Sequence, residues 1–405
     1  MEVQFSRSKI GESSGPLAGV RVVDFCSFIA GSFGAMLLGD MGAEVVKVEP
    51  PTGDPSRNWG PFIDGESRLF QGWNRSKRSV ALNLKDPRGL EVADDLVRGA
   101  DVVMENFRPG VSERLGIGYE RVREINKGIV YLSSTAFGHT GPDRMRPGYD
   151  PVLQTISGAA KMHERFCDQV HICSVAVSDY GAAMLAAGAV CAALFHRERT
   201  GEGQKLETSL LQAVMTVQSA AFIQALEHEE GTVGGIYPYR NFETAEGPLF
   251  IAAGTDKFWR LLCDAIGHSD LGEDPRYDTN PKRVAAIPEL EEKLKPIFLR
   301  RSSRDWESLL VKKGVPCAAA RTALEFFDEP QVEALEMNPV IQHSKLGPLR
   351  VSGLPVGFSQ TPGAIQSAAP LLGEHSREVL AALGYEDSRI TSLVEAGVVV
   401  EAGGG

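Results

Sequence analysis

The residue with the clearest capacity for chemistry is Asp179, which follows an apolar run and precedes a long apolar helical segment. Its neighbours in the chain are small, namely Ser178, Gly181, Ala182 and Ala183. A carboxylate with open space beside it can act as a nucleophile toward an acyl group. An aspartate at a helix N-terminus also caps the helix and is stabilised by the helix dipole. The spacing alone leaves both roles open.

A basic cluster, NRSKRS at 74–79, comes immediately before a predicted strand. Its cations are Arg75, Lys77 and Arg78, and such cations bind phosphate groups at the loop–strand junctions of α/β sheets. A solvated basic turn has the same composition. The cluster therefore indicates either a site for an anionic ligand or a surface turn.

A third segment that could contribute to a ligand site is ENFRPGVSERLGIGYE, residues 105–120. Asn106 and Phe107 end a predicted strand, at the sheet edge where open α/β folds bind ligands. Arg108 and Arg114 follow them and add positive charge. The Pro-Gly pair is equally typical of a turn that leads into a helix. Ligand binding and chain connection are both open for this segment.

The elements that must position these residues alternate between strand and helix. The predicted strands cover residues 20–25, 44–49, 78–84, 101–107 and 128–137, and the predicted helices cover 33–42, 90–99 and about 179–199. Alternation at this spacing predicts an α/β fold with a mainly parallel sheet that is covered on both faces.

The amino-acid composition changes at residues 227–247, which are loop-like and rich in glycine. We expect a domain boundary near residue 228. Beyond it, a short strand pattern at 249–254 and helical patterns at 256–266 and 303–313 predict a smaller α+β region.

The composition excludes several classes of protein. Hydrophobic residues make up 43% of the 405 residues and charged residues 23%, so a large core is available and global disorder is excluded. The net charge of -11 and the pI of about 5.4 exclude a generally basic nucleic-acid-binding protein. The six cysteines form no CxxC pair and have no zinc-type spacing, so we expect no metal site.

Targeting and nucleotide-binding signals are also missing from the sequence. The first residues, MEVQFSRSKIGESSG, contain no apolar core of a signal peptide. The longest uncharged helical stretch, 180–195, has 16 residues, which is short of the ~20 that a bilayer span needs. The P-loop, GxGxxG and HExxH patterns do not occur. We expect a soluble cytoplasmic protein with no membrane and no nucleic-acid partner.

Seven segments resemble those of the class III CoA-transferases, which include formyl-CoA transferase, the carnitine CoA-transferases and the related 2-methylacyl-CoA racemases. The segments are GAEVVKVEPPTGDPSR (42–57), NRSKRSVALNLKDPRG (74–89), ADVVMENFRPGVSERLGIGYE (100–120), STAFGHTGP (134–142), GYDPVLQTISG (148–158), SVAVSDYGAAMLAAGAVCAALFHRERTGEGQ (174–204) and PYRNFETAEGPLFIAAG (238–254). They occur in the family order, and the resemblance extends from residue 16 to residue 385.

The resemblance implies a Rossmann-like large domain built from residues 1–227 and 326–405, with a smaller domain at 228–325 inserted between its two parts. It also implies subunits that form interlocked rings, and hence a homodimer. Pairing with a paralogous subunit, to give a heteromer, is the alternative assembly.

The resemblance places Asp179 on the catalytic aspartate of the family. That aspartate attacks an acyl-CoA thioester, forms a mixed anhydride, and then carries CoA as an aspartyl-CoA thioester to a carboxylic acid. An anhydride or thioester keeps the acyl group activated without ATP. The implied partners are an acyl-CoA donor and an organic acid acceptor. Coenzyme A is then substrate and product, and no permanently bound cofactor is expected.

The resemblance also implies binding residues. Those for CoA are Phe28, Ala30, Arg75, Lys77, Asn106, Phe107 and Arg114. Those that bind or assist the substrate are Ile29, Tyr149, Asp150, Gly234, Gly235 and Tyr239. Ile29 replaces a glutamine of formyl-CoA transferase, and its apolar side chain cannot donate a hydrogen bond. Asp150 can tune Asp179 by like-charge repulsion. Gly234 and Gly235 are candidates for a lid, although the family's glycine loop is not reproduced.

Two other activities stay open beside CoA transfer. The racemases exchange an α-proton with a histidine and the equivalent aspartate, but Tyr149 occupies the histidine position, and tyrosine is a poor base at neutral pH. A non-catalytic acyl-CoA-binding paralogue could serve as a silent subunit of a heteromeric transferase. The retained Asp179 favours the transferase.

The substrate is the least defined part of the prediction. The candidate pocket cations are Arg75, Arg144, Arg146 and Arg240. Arginine binds carboxylates well, which favours a dicarboxylic acyl group such as that of succinyl-CoA. A carnitine-like zwitterion and a bulky aromatic acid are the alternatives.

Overall fold

The computed structural model describes residues 14–162, 169–224, 226 and 235–403. By their internal contacts, these residues divide into two compact units. The first unit runs to Ile223 and resumes at Glu333, and the second comprises Gln224–Val332. These divisions lie close to the predicted ones after residues 227 and 325.

The central sheet belongs to the first unit. The strands of the described residues are β1 (Arg21–Asp24), β2 (Glu44–Glu49), β3 (Phe62–Ile63), β4 (Glu66–Ser67), β5 (Arg78–Leu82), β6 (Val102–Glu105), β7 (Val130–Thr135), β8 (Gln204–Ser209), β9 (Tyr239–Glu243), β10 (Pro248–Ala252), β11 (Cys317–Ala319), β12 (Val340–His343), β13 (Gly347–Arg350) and β14 (Val399–Val400). Seven of them form the sheet, in the order β14-β5-β2-β1-β6-β7-β8. All neighbours are parallel except β14 and β5. The predicted mixed α/β fold with a mainly parallel sheet is confirmed.

Helices cover the sheet and build most of the second unit. The α-helices of the described residues are α1 (Ser32–Asp40), α2 (Arg68–Trp73), α3 (Pro87–Arg98), α4 (Val111–Arg114), α5 (Tyr119–Ile125), α6 (Asp150–Ile156), α7 (Ala159–Met162), α8 (Val177–Thr200), α9 (Leu210–Val217), α10 (Asp256–Ala265), α11 (Ser269–Glu273), α12 (Asn280–Ala285), α13 (Ile287–Phe298), α14 (Ser303–Lys312), α15 (Ala323–Phe327), α16 (Pro330–Ala334), α17 (Ser376–Ala382) and α18 (Asp387–Glu395). Short 3-10 helices cover Pro55–Asn58 and Ser219–Phe222.

Valines that alternate along the central strands fill both faces of the sheet. Val23 and Val103 pack into one core with residues of α3, α5, α17 and α18. Val22 and Val102 point to the other face and pack with residues of α1 and α8. Because both faces are buried, the strands are nearly continuous apolar runs, which made them visible in the sequence.

The order of the strands locates a ligand-binding edge. The six parallel strands follow the doubly wound order of dinucleotide-binding folds, which reverses between β1 and β6. Ligands of such folds bind in the crevice outside the carboxyl ends of the strands at this switch point. The loops that follow β1 and β6 are therefore the expected walls of a site.

The second unit has its own sheet and core. Strands β11, β10 and β9 form a three-stranded antiparallel sheet. Helices α10, α13 and α14 contribute the buried side chains of Trp259, Leu294, Phe298 and Trp306 to the core. The unit has both helices and an antiparallel sheet, and its role as an inserted domain stays a prediction.

Helix α8 is the helix in the described residues that is long and apolar enough to span a membrane by length and composition. Half of its most apolar window is buried, and the helix packs against α1, α9 and the sheet. A core helix of a soluble protein has the same properties. The absence of a membrane segment therefore stays a prediction.

Candidate active site

A cavity of about 470 Å³ opens at the carboxyl ends of β1, β6 and β7. Its walls are the loop after β1, the loop after β6, residues 144–149 and the first turn of α8. The predicted site residues that line it are Phe28, Ile29, Ala30, Asn106, Phe107, Tyr149 and Asp179. The cavity therefore lies at the switch point, where this fold is expected to bind ligands.

Asp179 lies in the first turn of α8 and lines the cavity with a half-buried side chain. In the described part of the chain, its carboxylate has no hydrogen bond or ion pair. Burial, and then the negative charge of Asp150, raise the pKa of Asp179 to about 7. The N-terminus of α8 favours the anion and opposes this rise. Near neutral pH, Asp179 is thus poised between its protonated form and its nucleophilic carboxylate.

The start of α8 is capped by Asp150 and not by Asp179. Oδ1 of Asp150 accepts hydrogen bonds from the backbone N–H of Ser178 at 2.7 Å and from its hydroxyl at 2.6 Å. Oδ2 of Asp150 accepts a hydrogen bond from Nε2 of Gln154 at 2.6 Å. The buried carboxylate of Asp150 thus performs the capping that was one alternative for Asp179.

The small residues beside Asp179 serve helix packing. Ala182 and Ala183 are fully buried. A methyl group added to Gly34 of α1 would lie 2.9 Å from the carbonyl oxygen of Ala183, so the two helices are in close contact. None of these small residues lines the cavity, whose walls around Asp179 are the facing loops.

Asn106 lines the cavity and also binds the loop after β1, which forms another wall of the cavity. Its Oδ1 accepts a hydrogen bond from the backbone N–H of Ser27 at 2.9 Å. Its Nδ2 donates a hydrogen bond to the carbonyl oxygen of Ser27 at 2.7 Å. One amide side chain thus fixes both backbone groups of a residue in the loop after β1.

Three aromatic side chains form a group at the cavity. The ring of Phe28 lies 4.9 Å from the ring of Trp59 and 6.0 Å from that of Tyr149, measured between centroids. Trp59 also lines the cavity and was missed in the sequence. Its signal was a large aromatic residue in a polar loop with glycine and proline, where no core would bury it.

Arg75 and Lys77, which were predicted to bind CoA, are held in buried ion pairs. The guanidinium of Arg75 pairs with Asp40 at 2.8 Å and donates a hydrogen bond to the carbonyl oxygen of Ser352. The ammonium of Lys77 pairs with Asp24 at 2.8 Å. Neither residue lines the cavity. Because both charges are satisfied inside the protein, we leave these residues out of the proposed site.

Other arginines supply positive charge at the cavity. Arg108, Arg144 and Arg146 line it. Arg146 is paired with Asp143 at 3.3 Å, whereas the exposed side chains of Arg108 and Arg144 have no partner among the described residues. Arg114 is exposed in α4 and lies outside the lining. Arg108 and Arg144 are therefore the cations available to an anionic ligand.

The remaining predicted residues fall elsewhere. Gly234 lies outside the described residues, and Gly235, Tyr239 and Arg240 belong to the second unit. Arg240 forms an ion pair with Glu291. The predicted lid and substrate contacts of these residues stay predictions. Within the described ranges, no three His, Cys, Asp or Glu side chains are grouped as metal ligands would be.

Comparison with known proteins identifies the family. Residues 17–376 match the model of CoA-transferase family III. The chain is 35% identical to succinyl-CoA:glutarate CoA-transferase of Mus musculus, over 96% of this chain and 91% of the mouse protein. It is 33% identical to the succinyl-CoA–L-malate CoA-transferase beta subunit of Chloroflexus aurantiacus, over 93% of this chain and 96% of that subunit.

A solved structure leads to the same family. The crystal structure of a CAIB/BAIF family protein from Brucella suis matches with a TM-score of 0.80 and 31% sequence identity. The match covers 91% of this chain and 100% of that chain. The resemblance seen in the seven segments is confirmed. The chain belongs to CoA-transferase family III and is a class III CoA-transferase.

Proposed function

We propose that this enzyme moves CoA from an acyl-CoA thioester to a carboxylic acid through an aspartyl-CoA thioester on Asp179. The observation that carries the proposal is the carboxylate of Asp179, which lines a cavity without a structural partner in the described residues while Asp150 caps its helix. A carboxylate in this setting is available as a nucleophile. The names of the mouse and Chloroflexus relatives, which describe transfer of CoA between acids, support it.

The proposed reaction proceeds by four exchanges at acyl carbons. The Asp179 carboxylate attacks the thioester carbonyl and expels CoA thiolate, which leaves a mixed anhydride. The thiolate attacks the Asp179 carbonyl carbon, which forms the aspartyl-CoA thioester and releases the donor acid as its carboxylate. The acceptor carboxylate then expels the thiolate and forms a second anhydride. Attack of the thiolate on the acceptor acyl carbon releases acceptor-CoA and free Asp179.

We assign CoA to the cavity wall formed by Phe28, Ala30, Asn106 and Phe107. These residues line the cavity from the loops after β1 and β6. The exposed guanidinium of Arg108 follows them and is free to meet a phosphate. Coenzyme A enters and leaves this site as substrate and product.

The direct test is a screen of acyl-CoA donors against carboxylic acids, read by mass spectrometry of the CoA products. We expect exchange from succinyl-CoA to a four- or five-carbon dicarboxylic acid, as the names of the mouse and Chloroflexus relatives suggest. Hydrolysis of the donor without exchange, or epimerisation of a 2-methylacyl-CoA without exchange, would contradict the proposed transfer.

Substitution of Arg144 by glutamine is expected to reduce the use of dicarboxylic acids. Arg144 lines the cavity and has no partner in the described chain, so its guanidinium is available to the second carboxylate of such an acid. A hydrogen bond to a charged group contributes about 1.5–3 kcal/mol, which corresponds to a loss of roughly 10–150-fold in kcat/KM.

The control acceptor for this prediction is a monocarboxylic acid of equal length, whose kcat/KM should change little in the Arg144→Gln enzyme. The control variant is Arg98→Gln, which removes an exposed arginine of α3 that pairs with Asp95. An equal loss for both acids would show that Arg144 contacts CoA and not the second carboxylate.

We also propose that the enzyme is a homodimer of interlocked subunits in the cytoplasm. Helix α8 exposes Met184, Leu185 and Phe195 in the single chain, and exposed apolar side chains of this kind often mark an interface. Sedimentation at micromolar concentration should show a dimer. A well-folded monomer would contradict the interlocked assembly. Association with a paralogous chain is the alternative, and the relative from Chloroflexus aurantiacus that is named a beta subunit supports it.

A further inference from the structure

The cavity wall that follows β1 is held by buried charged side chains. We call residues 26–32 the cavity loop. The backbone N–H of Cys26 donates to Oδ1 of Asp24 at 2.9 Å, and the carbonyl oxygen of Cys26 accepts from Nζ of Lys47 at 2.7 Å. The carbonyl oxygen of Ser32 accepts from Nζ of Lys77 at 2.8 Å. The carbonyl oxygens at both ends of the loop thus accept hydrogen bonds from lysines outside it, namely Lys47 of β2 and Lys77, which immediately precedes β5.

Lys47 connects the two ends of the cavity loop. Besides the carbonyl oxygen of Cys26, its Nζ contacts the hydroxyl of Ser32 at 3.2 Å and pairs with Oδ2 of Asp54 at 2.9 Å. Burial lowers the pKa of Lys47, but the charges of Asp54 and Asp24 outweigh it and leave the pKa above its ordinary value. Lys47 is completely buried and stays charged.

The centre of the cavity loop has a backbone conformation that needs support. Phe28 has a φ of 58°, which is in the left-handed region that bulky residues rarely adopt. Such conformations persist where the surrounding structure fixes them. The backbone N–H of Phe28 points to Oδ1 of Asp54 at 3.4 Å. Asp54 therefore contacts the strained residue and also pairs with the lysine that holds the ends of the loop.

We infer that Lys47 and Asp54 are positioning residues that fix the cavity loop in its binding conformation and thereby set the affinity of the cavity for CoA. This inference rests on the proposed function, because it takes the cavity as the CoA site. A buried ion pair is weak evidence for stability, since apolar residues often replace one without loss. Here the ion pair contacts a loop whose Phe28, Ile29 and Ala30 line the cavity. The pair can therefore act on ligand binding as well as on stability.

The test compares Lys47→Met with Arg197→Met. Arg197 is the control, on the side of the same sheet where the strands begin; it also pairs with an aspartate, Asp101, at 2.9 Å and reaches backbone carbonyl groups, although this pair is only partly buried. The affinity for coenzyme A is measured by calorimetry, and stability is measured by urea unfolding. Both variants should unfold at a lower urea concentration than the unsubstituted enzyme. Only Lys47→Met should also weaken CoA binding, by at least about tenfold, which corresponds to about 1.4 kcal/mol.

Equal CoA affinities in the two variants would overturn the inference, since Lys47 would then be merely structural. If Lys47→Met does not fold, Asp54→Asn is compared with Asp101→Asn. Both aspartates accept a backbone N–H and pair with one cation, and only the first contacts the cavity loop. Formation of a thioester on Asp179 in the unsubstituted enzyme tests the proposed function separately. Its absence would count against the mechanism, while the comparison of CoA affinities would still decide the role of Lys47.

Discussion

The Asp179→Asn enzyme is expected to transfer CoA at least about a thousandfold more slowly than the unsubstituted enzyme, since loss of a covalent nucleophile removes most of the rate. An amide at this position cannot form the mixed anhydride. The fold should persist, because Asp179 has no structural partner in the described residues and Asp150 caps α8. Binding of CoA should persist as well, because the proposed contacts come from other walls of the cavity. Turnover at saturating substrate is the measurement.

The covalent intermediate gives a second readout of the same prediction. Incubation of the unsubstituted enzyme with an acyl-CoA and no acceptor should leave a thioester, which hydroxylamine converts to a hydroxamate and borohydride reduces to an alcohol. Both mass changes should map to the peptide with Asp179 and disappear in the Asn variant. The Asp101→Asn enzyme is the control and should keep the label. A label on another residue would contradict the mechanism.

Stability against pH checks that the Asn variant is intact. Because the pKa of Asp179 is raised in the folded state, its ionisation destabilises the fold as pH rises from about 4 through about 7. Asparagine carries no such charge. The Asp179→Asn enzyme should therefore unfold at a temperature equal to or above that of the unsubstituted enzyme at pH 8, and the difference should disappear near pH 4.

The rate of transfer is expected to fall steeply below pH 7. The nucleophile is the anion of Asp179, and burial followed by the charge of Asp150 raises the pKa of this group to about 7. Above this pH the rate should be constant, and below it kcat/KM should fall about tenfold for each pH unit, since the anionic fraction falls by that factor. The measurement is kcat/KM from pH 5 to pH 9, which reports the free enzyme.

Asp150→Asn is the matched variant for the pH profile. An asparagine keeps the size of the side chain and an oxygen that can accept from Ser178, but it removes the charge that repels the Asp179 anion. The fall in kcat/KM should therefore move to lower pH. A profile that is flat between pH 5 and pH 8, or one unchanged by the Asp150 variant, would contradict the coupling of the two carboxylates.

The parts of the fold that were predictable are those encoded in short stretches of sequence. A parallel strand such as β6 is buried on both faces, so it is a mainly apolar run that needs no distant partner to be recognised. The position of Asp179 at the start of a helix was visible for the same reason. Strand β14 was not predicted, because a two-residue strand has no periodicity of its own; the nine-residue helix α18 was not predicted either.

The roles of the basic residues were not predictable from spacing. Arg75 and Lys77 stand at a loop–strand junction, which is the usual place for a phosphate contact, but their partners Asp40 and Asp24 come from other elements. Sequence shows a charge and not the carboxylate that meets it in space. The capping of α8 by Asp150 is hidden in the same way. The sequence did contain a signal for the buried network, since Asp24 and Lys47 are charged residues with an apolar residue on each side in the chain.

The position of β14 at the C-terminal end of the described chain has a consequence for folding during synthesis on the ribosome. Val399 pairs with Leu82 of β5, and residues of α17 and α18 complete the core over Val80. Those residues leave the ribosome roughly 15–60 s after β5, because about 300 residues separate them and synthesis adds about 5–20 residues per second. During that interval the apolar face of β5 is without its final cover, so the nascent chain presents an aggregation-prone surface that chaperones recognise.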